Sequence, residues 1–306
     1  MKKALFALGI VVAFLPHLCL AQGCSDAGVC TIHAFKNPGE KEKDFRKSLS
    51  VGLTYGQGER SVHVVSSFIE YNHWLGKKIS LSGKLTYQAA SGELGSFANF
   101  GDAFITASYN FRPGRKFNSS VFGGFKLPLN DANGKEGNAS LPMVYQSSLG
   151  TTDLILGYNF LYNKLSAGIV WQQPLSGENQ NRFFPSAFPD ANAGFYLPTN
   201  RLRRKSDVLA RVTREFDLVK DKLTIEPGLL PIFHLGNDTY RDENKSRQTH
   251  SDSKGVTLNG IVYLSYLSGK RNKLIFSYGT PISARKVIPD GLLRSNVFGL
   301  EYHIRF

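Results

Sequence analysis

From about residue 46 to its end, the chain repeats one pattern twelve times: roughly ten residues in which apolar and polar side chains alternate. The segments are 46–57, 60–75, 78–90, 102–112, 117–127, 149–160, 164–173, 204–217, 222–236, 254–267, 272–281 and 291–306. In the third, Ile79, Leu81, Leu85 and Tyr87 share one parity and Ser80, Ser82, Lys84 and Thr86 the other. In the seventh, Leu165, Ala167, Ile169 and Trp171 alternate with Ser166, Gly168 and Gln172. In the eleventh, Leu274, Phe276 and Tyr278 alternate with Lys273 and Ser277. Successive strand side chains point to opposite faces, so each segment reads as a strand with one apolar face and one polar face. An even number of such strands suits a closed antiparallel barrel that meets lipid outside and water inside.

The links between segments sort into two classes. Those after segments 2, 4, 6, 8 and 10 are short, as in Arg112-Pro113-Gly114-Arg115-Lys116, Asn163 and Ser268-Gly269-Lys270-Arg271. The others are long, at 91–101, 128–148, 174–203, 237–253 and 282–290, apart from a tight turn near Gly58-Glu59. A soluble β-sandwich, the competing all-β arrangement, has no reason to gather its long loops at one end. The expectation is therefore an all-β fold, a 12-stranded antiparallel transmembrane β-barrel with short periplasmic turns and long extracellular loops. In the last segment Phe298, Leu300, Tyr302, Ile304 and Phe306 share a face, opposite Glu301, His303 and Arg305. A chain that ends this way resembles the closing strand recognised by the barrel-assembly machinery. Phe306 is the expected assembly signal, that machinery and outer-membrane lipid are expected partners, and the barrel is expected to be a monomer.

The N-terminus fits this destination. Lys2 and Lys3 precede an apolar run over residues 4–15, and Cys19-Leu20-Ala21 carries the small residues of a cleavage site. Residues 1–21 are expected to be a signal peptide and 22–45 a periplasmic segment with the charged run Glu40-Lys41-Glu42-Lys43-Asp44, ahead of the barrel at 46–306. The apolar run is shorter than the ~20 residues that span a bilayer as a helix, and no later stretch approaches that length. The expected location is the outer membrane. Cys24 and Cys30, six residues apart, suggest a small disulfide loop formed in the periplasm. A metal site would need more ligands than the nearby His33 supplies, and no cofactor is expected. A second reading makes Cys24 a lipidated N-terminus. Ala21-Gln22-Gly23-Cys24 has the small residue before cysteine but lacks a leucine three positions before it.

Charge bears on the choice of partner. The formal net charge of +13 becomes +11 once Lys2 and Lys3 are removed. It is spread over turns and alternate strand positions rather than clustered, which fits a solvated face and argues against nucleic acid. With the apolar face toward lipid, Lys84, Lys126, Asp153, Arg211, Glu215, Glu226, Glu301, His303 and Arg305 would line the lumen. A salt-bridged, water-filled or packed interior is the plainer reading of that set and a polar permeation path the sharper one, because a charge on the lipid face is costly in any barrel. The loop at 174–203 places Phe183, Phe184, Phe188, Phe195 and Tyr196 where polar residues would be ordinary. They either pack on the rim or inside it as a constriction, or they offer an apolar landing site for a solute. Residues 237–244 are polar enough to invite a cation, but they lack calcium-loop spacing and read as a solvated loop.

Segments 5 to 7 carry two further motifs. Gly123-Gly124-Phe125-Lys126-Leu127-Pro128 precedes a variable loop, and Gly150-Thr151-Thr152-Asp153-Leu154-Ile155-Leu156-Gly157-Tyr158 leads to a short turn and Trp171. This arrangement resembles the outer-membrane proteins of the MetA-pathway of phenol degradation family, over about a third of the chain. The resemblance implies passage of aromatic or other hydrophobic compounds across the outer membrane. The cysteine-bearing N-terminus departs from that family's commoner pattern and raises the question of whether residues 22–45 plug the lumen. Two other classes stand against a channel. One is a non-conducting barrel whose loops serve envelope or surface interactions. The other is an outer-membrane lipid hydrolase with a His-x-Ser pair on one strand face. His63, His73, His234 and His303 are followed two residues on by Val65, Leu75, Gly236 and Arg305, and no Gly-x-Ser-x-Gly occurs. The chain is therefore not expected to be an enzyme, and a passive channel for small solutes, hydrophobic or aromatic ones among them, is the favoured reading.

Overall fold

A computed structural model describes Ile32, Ala34, Phe35 and residues 45–111, 117–292 and 294–306. Residues 1–21, Cys24, Cys30 and the turn 112–116 lie outside the described residues. Among the described residues, twelve long strands form one closed antiparallel ring. They are β1 (Lys47–Gly58), β2 (His63–Leu75), β3 (Ile79–Gly92), β4 (Gly95–Asn110), β5 (Phe117–Pro128) and β6 (Asp153–Tyr162). The second half comprises β7 (Leu165–Pro174), β8 (Asp207–Arg214), β9 (Leu223–His234), β10 (Gly255–Ser268), β11 (Asn272–Ser283) and β12 (Arg294–Arg305). Beyond Arg214, Phe216–Val219 continues the line of β8 against β9. Each strand pairs with its sequence neighbours, and β12 pairs with β1, where Leu53 faces Leu300 and Tyr55 faces Phe298. Lys47 and Phe306 exchange backbone hydrogen bonds of 3.0 and 2.9 Å, so the two ends of the barrel chain meet at the periplasmic rim.

Parity places the side chains. Leu53, Ile69, Leu85, Ile105, Ile169, Phe276 and Leu300 all stand exposed on the outer surface. On a water-soluble protein so continuous an apolar belt would aggregate, whereas lipid covers it at no cost. Aromatic rings collect toward the ends of the belt. Tyr55 pairs with Phe298 and Phe298 with Tyr278 toward the outer end, and Tyr109 packs edge-on against Phe111 at 5.3 Å near the periplasmic turns. The β8–β9 ladder lapses between the Leu209–Ile232 and Val212–Leu229 pairs, where Pro231 lies. Proline has no N–H to give a neighbour.

Two expectations about the outer loops need correction. Residues 91–101 are not a long loop. Gly92 and Gly95 flank the two-residue turn Glu93-Leu94, and β4 begins at Gly95 rather than at 102. Three glycines with serine and asparagine read locally as a loop, but Gly95 takes φ +129°, which a tight hairpin needs. The loop after β5 does not project outward along its whole length, since only its first part, with 135–138, is exposed. Its second part turns into the barrel, and residues 141–149 are buried throughout.

Candidate permeation site

Lys126, wholly buried on the inner face of β5, anchors this inward loop. Its Nζ donates to the Thr151 carbonyl at 3.0 Å and lies 3.3 Å from Asp153 and 3.7 Å from Asp102. Ser148 donates to the Asp102 carboxylate at 2.6 Å, and Gln88 Nε2 donates to the Gln146 carbonyl at 2.7 Å. From the next loop, Asn181 Nδ2 donates to the carbonyls of Ala132 (2.8 Å) and Leu141 (3.1 Å). Buried backbone groups must find partners, and these side chains let an irregular segment lie inside the barrel.

The aromatic loop packs against the inward loop at the outer mouth. Phe183 and Tyr196 are buried with Tyr145, Leu141, Val144, Val62 and Leu94. Tyr145 Oη accepts from the Leu94 N–H at 3.1 Å, and the Phe183 and Tyr196 rings meet edge-on at 6.5 Å. Burial, reinforced by Tyr145, pushes the Tyr196 phenol above its ordinary range, so it remains neutral. Phe184 and Phe188 are half-buried. Phe195 is 61% exposed, with the Arg60 guanidinium 4.0 Å above its ring.

A lattice of ion pairs binds three loops to the wall. Arg204 bridges Asp290 at 2.9 Å and also bonds Asp207. His234 holds Asp207 through Nδ1 at 2.6 Å and Asp238 through Nε2 at 2.8 Å, and Arg285 reaches Asp290 at 2.6 Å. Burial alone would raise the Asp290 carboxyl, but Arg285 and Arg204 outweigh it and hold it far below the usual carboxylate range. Its contribution to closure is therefore complete above the unfolded value of about 4 and is lost only as pH falls through the depressed one. Closure of the mouth should hold from pH 7 to pH 4, whereas Asp290→Asn should loosen it at neutral pH. Single-channel conductance reads both, and a step in the wild-type value within that interval would show that these pairs do not hold the loops.

The lumen itself has two unlike walls. Along β1 to β3 and β12 it is polar, with Ser50, Glu70, Asn72, Ser82, Lys84, His303 and Arg305 buried. Ser50 and His303 lie 2.7 Å apart, and Lys84 faces Glu70 in register with its Nζ 4.4 Å over the Phe68 ring. Across the barrel the inner face is apolar: Phe104, Phe122, Ile155, Val170, Leu209, Leu230, Ile232 and Ile261 form one cluster with Ile32, Ala34 and Phe35 of the N-terminal segment. These three described residues of 22–45 thus sit inside the lumen. A cavity of about 170 Å³ remains on the other side, bounded by the inward loop at Met143 and residues 146–149 and by Thr54, Ser66, Phe68, Lys84, Gln88 and Tyr263.

The nine charged residues assigned inward by parity are dispersed. Lys126 and Asp153 come together, His303 and Arg305 share the periplasmic half of β12, and Arg211 lies on the apolar wall against Phe35. Glu226 is half-buried and accepts from Thr213, and Glu301 is half-buried in β12. Glu215 sits at the periplasmic rim, 3.9 Å from Lys164 with both side chains 45% exposed. Sequence reasoning did not single out Asp102, Glu70 or the lattice of Arg204, Asp207, His234, Asp238, Arg285 and Asp290. Asp207 and His234 had inward parity in expected strands, but Arg285 and Asp290 lie in a loop without periodicity. Asp238, in the stretch considered for a cation, is taken by His234.

No protein-family model matches the sequence, and no curated protein matches it. Among solved structures, the NanC porin is similar over 84% of this chain and 100% of its own, with a TM-score of 0.51 and 10% identity. The chain has the fold of an outer-membrane β-barrel. At that identity the likeness is one of fold. Looser overlays are the CymD monoaromatic hydrocarbon channel (TM-score 0.47, 9% identity, 94% of this chain and 98% of that one) and the outer membrane phospholipase A from Escherichia coli (0.38, 11%, 93% and 98%). At these values no chemistry carries across.

Proposed function

We propose that the barrel is a passive channel for small solutes, and that they pass along the wall formed by β1 to β4 and β10 to β12. The observation that carries this reading is the cavity of about 170 Å³ left between the inward loop and that wall. A purely structural barrel gains nothing from an internal void, since voids forfeit packing. The lining mixes Phe68, Tyr263 and Ile261 with Ser66, Gln88 and Lys84, which suits a small molecule with an apolar body and a polar end. The resemblance to the phenol-degradation family supports the aromatic end of that range. In the same proposal Phe306, paired with Lys47, is the signal read at assembly, and the unit is a monomer.

The test is planar-bilayer conductance of the purified protein, with uptake of an aromatic probe by cells with and without it. Discrete conductance and faster uptake are expected. Silence in both assays would favour the non-conducting alternative, which draws support from the filled mouth and the ion-pair lattice. A hydrolase has less to build on. His63 points outward and bonds the Tyr55 hydroxyl at 2.8 Å, while Ser50 and His303 are buried in the wall and neither lines the cavity. Lipase activity abolished by His63→Ala would reverse that judgement.

A further inference from the structure

Arg211 differs from Lys126 and Arg204, two other buried cations of the barrel. Lys126 has two carboxylates within 4 Å, and Arg204 bonds two more. Arg211 lies on the inner face of β8, only 4% exposed, and among the described residues no carboxylate stands within ion-pair distance of it. Its Nη2 donates to the carbonyl oxygen of Phe35 at 2.7 Å, while its Nε has no acceptor. A buried guanidinium is costly without a counter-ion, and a neutral carbonyl compensates it poorly.

The ring that accompanies that carbonyl fills a formed socket. Phe35 is fully buried, with the Arg211 guanidinium 4.8 Å from its ring and the Phe122 ring 6.3 Å away. Gly168 on β7 makes the room, because a Cβ there would fall 2.8 Å from the Phe35 ring. Asn159 on β6 donates to the Ala34 carbonyl at 2.7 Å, and its own Oδ1 is left without a partner.

We infer that this socket is a binding site for an arylalkanoate, an aromatic ring carrying a carboxylate on a short chain, and that Phe35 occupies it in the ligand's absence. Phe35 presents a ring and, two carbons on, an sp² oxygen. A 3-phenylpropionate ion has the same skeleton with a carboxylate in place of the amide carbonyl. Its two oxygens match the Nε and Nη2 fork of Arg211, give charge-assisted bonds and supply the missing counter-ion. The Phe35 ring must leave for the ligand ring to enter, so the chain competes with its own ligand. This inference deepens the channel reading and rests on it for the entry of a solute into the lumen, where the socket lies on the wall across from the cavity.

Titration calorimetry with 3-phenylpropionate on the full-length mature barrel tests it, with heat-modifiable gel migration confirming that each variant is folded. Wild type should bind at one saturable site. Arg211→Gln should weaken binding about tenfold or more, and Phe35→Ala should strengthen it about tenfold by removing the competitor. Propionate, which lacks the ring, and 3-phenylpropionamide, which lacks the charge, should both bind at least tenfold more weakly. Absence of binding to both wild type and Phe35→Ala would overturn the proposal. So would affinities that are the same in all three proteins. Binding as expected by a barrel that conducts nothing would defeat the channel reading alone, and conductance without binding would defeat this site alone.

Discussion

Lys126→Met is expected to destabilise the barrel by about 3–5 kcal/mol, the range seen when one partner of a buried ion pair is removed. Methionine retains much of the side-chain volume, so the loss reports charge rather than packing. It strands Asp102 and Asp153 inside the barrel, each with one of its remaining partners, Ser148 or Gln172, too weak to replace an ammonium. It also frees the Thr151 carbonyl and so unpins the base of the inward loop. Equilibrium unfolding by guanidinium in lipid vesicles measures the loss. The triple variant Lys126→Met, Asp102→Asn, Asp153→Asn should recover most of it, because the stranded charges are then gone. A single-variant loss below 1 kcal/mol would mean that water reaches this cluster and that the loop is held by something else.

Gly291→Val should open the channel. Gly291 has φ +66°, and a Cβ on it would lie 2.2 Å from the Val144 nitrogen and 2.4 Å from the Met143 carbonyl carbon. No side chain fits there unless the loop around Gly291 parts from the inward loop it rests on. Left-handed backbone in a β-branched residue adds strain of roughly 1–3 kcal/mol. We expect single-channel conductance to rise severalfold. Gly137→Val separates the two causes, since Gly137 has φ +57° but nothing within 4 Å of a Cβ. It should bear the strain and leave conductance unchanged. Equal conductance in Gly291→Val and wild type would show that the contact at Val144 does not set the width of the pore.

The strands were legible because lipid imposes a strict rule on every second residue. All twelve expected segments correspond to strands, with ends displaced by a few residues, because parity survives errors in length. The exception of size is β4, where Ser96 to Gly101 look like loop one residue at a time and become strand by pairing with β3. The interior was less legible. Parity puts Lys126 and Asp153 inside, but nothing local says that they meet Asp102 from another strand. The apolar wall does leave a trace, since Leu154-Ile155-Leu156 and Val208-Leu209-Ala210 are apolar at both parities, which a strand between lipid and water has no need of. The inward loop leaves one as well: residues 141–149 carry no charge. Which long loop turns inward depends on bonds such as Asn181 to Ala132, between residues 49 apart, and no window on the sequence contains both.

The bonds between Lys47 and Phe306 also set the timetable of folding. Every other strand pairing joins neighbours along the chain, so it closes a short stretch at little entropic cost and can form early. The pairing of β1 with β12 joins the first strand to the twelfth and cannot exist until β12 has been made and delivered. Until then the growing sheet has two bare edges and an apolar face in a watery compartment, the condition most prone to aggregation. Protection of this sheet from aggregation therefore matters most in the interval before its last strand arrives.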